Sequence, residues 1–105
     1  FGLGGIYVEV MKDVAFRAVP LSDRDIRSMI KEIRSYPLLL GVRGEARKDI
    51  ESIISALVKV ASLISKVPRI TDIEINPMVV YEQGKGARAV DIRVLLSDDK
   101  KDSAS

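Results

Sequence analysis

At 105 residues, 47% of them hydrophobic, the chain holds enough apolar material for one domain with one modest core. Lys and Arg number 17 against 15 Asp and Glu, a net charge of +2 scattered along the chain, which gives no basic surface for nucleic acid or an anionic membrane. No apolar run approaches the about 18 residues that a membrane span needs. Cysteine and histidine are both absent, so disulfides, thiolate ligands, imidazole–zinc sites and Ser-His or Cys-His catalysis are excluded within the chain. Chemistry must rest on carboxylates, amides, Arg, Lys and backbone groups. The lack of cysteine fits a cytoplasmic setting. The opening residue is Phe, not Met, which is expected of a piece of something longer.

Phe1-Gly2-Leu3-Gly4-Gly5 is a turn composition; it lacks the spacing and the following helix of a phosphate loop. Residues 6–10 alternate as a strand, with Ile6, Val8 and Val10 on one face. A turn at 11–13 leads to a second strand over 14–19. Pairing Val10 with Val14 makes the apolar faces agree and sets Glu9 and Arg17 as diagonal neighbours on the other. That couple reads either as a cross-strand ion pair or as Arg17 aimed at a phosphate, which its planar fork suits. Pro20 ends the strand. Ser22 then caps a helix running to about Ser35, with Ile26, Met29, Ile30 and Ile33 at helical spacing. Pro37 stops it, and residues 37–45 read as a loop. There Arg43, held between Gly41 and Gly44, is a candidate for an anion or a partner. A long helix over 47–66 carries Ile50, Ile53, Ile54, Leu57, Val58, Ala61 and Ile64 as a wide apolar stripe. Pro68 closes it.

Strands over 70–82 and 87–96 follow, joined by Gln83-Gly84-Lys85-Gly86, and residues 97–105 form a polar tail expected to be disordered. Alternation puts Asp72, Glu74 and Asn76 on one face and Ile73 and Ile75 on the other. Such a row of hard oxygen groups suits Mg²⁺ as well as it suits a solvated face. Counting the loop as four residues pairs Ile75 with Val94, Pro77 with Ile92 and Val79 with Val90. Asp91 then falls opposite Met78, about 7 Å from Asn76 as a diagonal neighbour. Asn76 and Asp91 are therefore the predicted metal ligands, with Pro77 the place where a bulge would disturb them.

Phe1 to Val10, Asp13-Val14-Ala15-Phe16-Arg17, Tyr36-Pro37-Leu38-Leu39, Gly41-Val42-Arg43-Gly44 and Ile73-Glu74-Ile75-Asn76-Pro77, in that order, resemble the ATP-grasp domain of nucleoside-diphosphate-forming acyl-CoA synthetases. The likeness is greatest to the β subunits of ADP-forming acetyl-CoA synthetases and spans residues 1–96. It implies Mg²⁺ and ATP or ADP as cofactors, with Asn76 and Asp91 on the metal and Glu74 near an incoming phosphohistidine. It also implies reversible conversion of acyl-CoA, ADP and phosphate to acid, CoA and ATP, the phosphohistidine lying on a partner subunit or domain. The likeness starts partway through the ATP-grasp module, so the N-terminal half of that domain is an expected partner and a hetero-oligomer the expected assembly. Glu9 and Arg17 toward nucleotide, and Arg17 and Arg43 toward the transferred phosphoryl group, rest on their chemistry alone. The fold class read from the sequence is α+β, ordered β-β-α-α-β-β, with one antiparallel sheet and both helices on its apolar face. A non-catalytic interaction module and another ATP-grasp ligase are the competing functions.

Overall fold

A computed structural model describes residues 1–5, 10–42 and 44–97 of the chain. Most of the predicted first strand, and all of the tail except Ser97, lie outside those residues. Among the described residues three helices come first: α1 (Asp23–Glu32), the single turn α2 (Tyr36–Leu39) and α3 (Ile50–Lys66). Four strands follow: β1 (Ile70–Ile75), β2 (Met78–Val80), β3 (Ala87–Ala89) and β4 (Ile92–Leu96). The class is α+β with antiparallel pairing, in agreement with the sequence pattern. No described helix is long and apolar enough to cross a membrane.

The start of α1 is a reciprocal capping box, in which Asp25 N–H donates to the Ser22 hydroxyl at 3.1 Å and Ser22 N–H to the Asp25 carboxylate at 3.0 Å. Its stripe forms the centre of the molecule. Ile26 and Ile30 are fully enclosed and meet Leu39, Ile53 and Ile54. Burial on that scale is worth roughly 2–3 kcal/mol for each isoleucine. The helix ends at Glu32, sooner than its apolar stripe, because the Asp13 carboxylate takes Arg34 N–H at 2.6 Å and Ser35 N–H at 2.8 Å. Those amides are drawn out of the helical ladder. Pro37 does not leave a loop behind it. It sits in the first turn of α2, where its missing N–H costs nothing.

The N-terminal pairing differs from the expected hairpin. Val14 bridges Gly2, and Phe1 and Ala15 exchange both backbone bonds at 2.9 Å, so Val10 is not the partner of Val14. The slip exchanges the faces: Ala15 is buried against Met29 and Ile33, whereas Phe16 is 78% exposed. Residues 16–19 form no strand.

The C-terminal hairpin is two short ladders in line, β1 with β4 and β2 with β3, and not one continuous sheet. Its turn holds two residues, Gln83 and Gly84, closed by Lys85 N–H to Glu82 C=O at 2.9 Å. The four-residue loop was the wrong count, and the register moves by two. Ile75 faces Ile92, Ile73 faces Val94 and Met78 faces Ala89. The half-buried positions are Ile73 and Ile75 before the break at 76–77, and Met78 and Val80 after it. The inward face therefore changes parity at Asn76-Pro77. Among the described residues α3 packs on β1 and β2, while α1 packs on α3. Ile92, Val94 and Leu96 on β4 stay open to solvent.

Candidate metal and phosphate site

Asn76 and Asp91 sit at the break between the two ladders. Asn76 N–H donates to Asp91 C=O at 3.0 Å, and Val90 N–H to Pro77 C=O at 3.0 Å, so the backbone pairing bridges the interruption. The two predicted ligands are thus directly opposite each other, closer in register than the expected diagonal. Both are exposed, as is Glu74, which lies opposite Arg93 on β4. An amide oxygen and a carboxylate oxygen, with no nitrogen or sulfur ligand nearby, are a donor set that suits Mg²⁺. Among the described residues no group of three or more acidic side chains gathers to hold a metal. Mg²⁺ commonly completes its shell with water or phosphate oxygens. Glu74 and Asn76 also line a mostly apolar cleft of about 350 Å³ between the hairpin, α3 and the Phe1–Gly4 segment.

What holds the tip of the hairpin in place was not visible in the residue pattern. Asp49 caps α3, accepting Ser52 N–H at 3.1 Å, and the same carboxylate accepts Gly84 N–H at 3.1 Å and Gly86 N–H at 2.8 Å from the hairpin turn. Asp49 N–H donates to Tyr81 C=O at 2.9 Å, Gln83 N–H to Arg47 C=O at 2.8 Å, and Lys48 bridges Glu82. One buried acid thereby fixes the tip of the hairpin to the start of the long helix. It also explains why α3 begins at Ile50 and not at Arg47: residues 47 and 48 are engaged with the strand.

Arg17 is occupied. Its guanidinium meets the Glu32 carboxylate at 2.9 Å, Ser28 Oγ at 3.1 Å and its neighbour's carbonyl, Phe16 C=O, at 2.7 Å. The hydrogen bond from Arg17 holds the Glu32 carboxyl below the usual glutamate range. Glu9 and Arg43 lie outside the described residues. Beside Arg43, Gly41 has φ +88°, and a Cβ there would run into the Glu45 carbonyl oxygen. That glycine is required by the turn itself.

The two buried acids give a pH dependence. Gly86 N–H, and with it the Ser52 and Gly84 N–H groups, holds the Asp49 carboxyl below its ordinary value of 3.8. Ser35 above all, aided by the Arg34 and Ser35 amides, does the same for Asp13. A lowered folded-state value means that the charged form stabilises the fold fully above 3.8, and that this contribution is lost as pH falls through the lower folded value. Circular dichroism across acid titration should therefore show stability falling below the ordinary aspartate value. Asp49→Asn should be less stable at neutral pH and have a flatter acid slope; an unchanged slope overturns this reading.

These features define an α+β domain with an oxygen-only donor corner midway along an antiparallel hairpin. The chain belongs to the ATP-grasp domain family, whose model ATP-grasp_5 matches residues 1–96. It is 48% identical over 97 residues to the acetate–CoA ligase [ADP-forming] II subunit beta of Pyrococcus furiosus, covering 91% of this chain and 41% of that subunit. Against the 4-hydroxybutyrate–CoA ligase [ADP-forming] of Nitrosopumilus maritimus it is 42% identical over 95 residues, 90% of this chain and 14% of that protein. Among solved structures it matches the dinucleotide-forming acetyl-coenzyme A synthetase 1 of Ca. Korarchaeum cryptofilum in complex with coenzyme A and Mg-AMPPCP, whose phosphohistidine segment points towards the nucleotide binding site. That match has a TM-score of 0.83 at 43% identity and covers 91% of this chain and 44% of the other. The chain thus spans less than half the length of these relatives.

Proposed function

We propose that this chain supplies the Mg²⁺-nucleotide half-site of an ADP-forming acyl-CoA ligase, which converts acyl-CoA, ADP and phosphate into acid, CoA and ATP. The observation that carries the reading is the direct opposition of Asn76 and Asp91 at the hairpin break, with Glu74 two residues away. Family membership and the ADP-forming relatives support it. In this reading Asn76 and Asp91 hold Mg²⁺, which neutralises polyphosphate charge when bound. Glu74 lies on the side from which a partner's phosphohistidine approaches. Phosphoryl transfer then rests on positioning and electrostatics, which suits a chain without histidine.

Arg17, Arg43 and Glu9 are the candidates for the phosphate side of the site, and Arg17 reaches a phosphate only by exchanging its bond to Glu32. The rest of an ATP-grasp domain and the CoA-binding, phosphohistidine-bearing subunit are the partners, in keeping with the segment of that kind in the Ca. Korarchaeum enzyme. The setting for such a reaction is the cytoplasm. Titration of Mg–ADP into the complete ligase tests the proposal: Asn76→Ala and Asp91→Ala should each weaken nucleotide binding and phosphoryl transfer, and unchanged values overturn it. The exposed Ile92, Val94 and Leu96 favour a second reading, a non-catalytic subunit-interaction module. It predicts that those same two substitutions are silent.

A further inference from the structure

We propose that the cleft between α1 and the start of α3 is a second binding site, for a small phosphate-bearing anion. The cleft has a volume of about 210 Å³ and is walled by Arg27 and Lys31 from α1, Tyr36 from α2, Arg47 and Lys48 ahead of α3, and Gln83 from the hairpin turn. It shares no residue with the cleft beside Asn76. Two carboxylates, Asp49 and Glu51, also border it and bring two negative charges, with their oxygens already hydrogen-bonded. Asp49 accepts three backbone N–H groups. Glu51 is gripped bidentately by Arg27 at 2.9 and 3.0 Å, and Asp23 holds the same guanidinium at 2.6 Å.

Arg27 is thus shared by two acids, whereas Lys31, Arg47 and Lys48 enter no ion pair among the described residues, and the four basic residues that wall the cleft outnumber its two acids. Three cations without an ion-pair partner thus line one concavity together with the apolar Ile30 and Ile54. A low-dielectric floor under like charges focuses the field on whatever enters. The Gln83 amide and the Tyr36 hydroxyl add neutral donors at the wall. Phosphate answers this arrangement better than a carboxylate does, since it offers several oxygens and more than one negative charge to donors arriving from different sides. The start of α3 is already capped by Asp49, so attraction comes from side chains and not from the helix end. These cations are dispersed in sequence, at 31, 47 and 48, and only the packing of α1 on α3 unites them.

The test is titration of inorganic pyrophosphate into the 105-residue chain, followed by ¹H–¹⁵N NMR with EDTA present so that no metal–pyrophosphate complex can form at Asn76 and Asp91. Saturable shifts are expected at the amides of Lys31, Lys48 and Gln83. Lys48→Gln should weaken binding by about tenfold, in line with the loss of one charge-assisted contact. Arg24→Gln, on α1 but outside the cleft, should leave it unchanged and serves as the folding and net-charge control. Shifts that never saturate, that centre on residues 74–76 and 91, or that respond equally to both substitutions overturn the proposal. Inorganic phosphate as a second probe should give the same map with weaker binding. A response only to an acidic peptide, and to neither phosphate compound, also overturns it.

Discussion

Replacing Asp91 with alanine should lower phosphoryl transfer by the complete ligase at least about a hundredfold, with no loss of helix content. The size follows from the donor set. On the proposed assignment this chain would offer one carboxylate and one amide to the ion, so the substitution would remove the one negative ligand of that pair. Groups that merely support metal ligands typically cost 10- to 100-fold when removed, and a ligand itself should cost no less. The folded chain should tolerate the change, because Asp91 is exposed and what it gives the hairpin is its carbonyl, which alanine also has. Asn76→Ala should act in the same direction, with a higher Mg²⁺ requirement as its signature. Steady-state rates against Mg²⁺ concentration separate the outcomes: if both variants follow the wild-type curve, the metal assignment is wrong and the interaction-module reading gains.

The second large effect is structural. Gly41→Ala should destabilise the chain by about 3 kcal/mol, a fall in midpoint of roughly 10–20 °C for a domain of this size. Two costs combine there. The backbone has φ +88°, which L-residues avoid, and the new methyl group would meet the backbone of Glu45, Ala46 and Arg47, which has nowhere to retreat. Gly44, three residues on, provides the internal comparison. It has φ +82° but open space around the missing Cβ, so Gly44→Ala should cost only about 1 kcal/mol. Equal melting temperatures for the two variants would show that the crowding at position 41 is relieved by movement of the turn.

The pair of glycines flanking Arg43 suggested an anion loop when read as composition. At Gly41 the reason is instead the tight return of the chain from 41 to 47, a contact between residues that no local pattern announces. The legible parts were those with local causes. Ser22 with Asp25 marked the start of α1, the spacing of Ile26, Met29, Ile30 and Ile33 marked its inner face, and the apolar runs on either side of Gln83-Gly84-Lys85-Gly86 marked a hairpin. The register differs by two from the expected one, so a direct opposition of Asn76 and Asp91 replaces a diagonal one.

The failures had non-local causes. Asp13 fell in a predicted turn and Asp49 inside the predicted helix over 47–66, yet each is buried and takes backbone N–H groups from a distant segment. Phe1 pairing with Ala15 depended on which side of the N-terminal segment meets Met29 and Ile33, which alternation by itself leaves open.

The double duty of Asp49 bears on how the protein can be altered. Hairpin tips are ordinarily the safest places to splice in a reporter peptide or an affinity tag. Here the tip is bolted to a helix, and lengthening it would move Gly84 and Gly86 away from the acid that also starts α3. An engineer should therefore leave the turn at its native length and place cargo elsewhere.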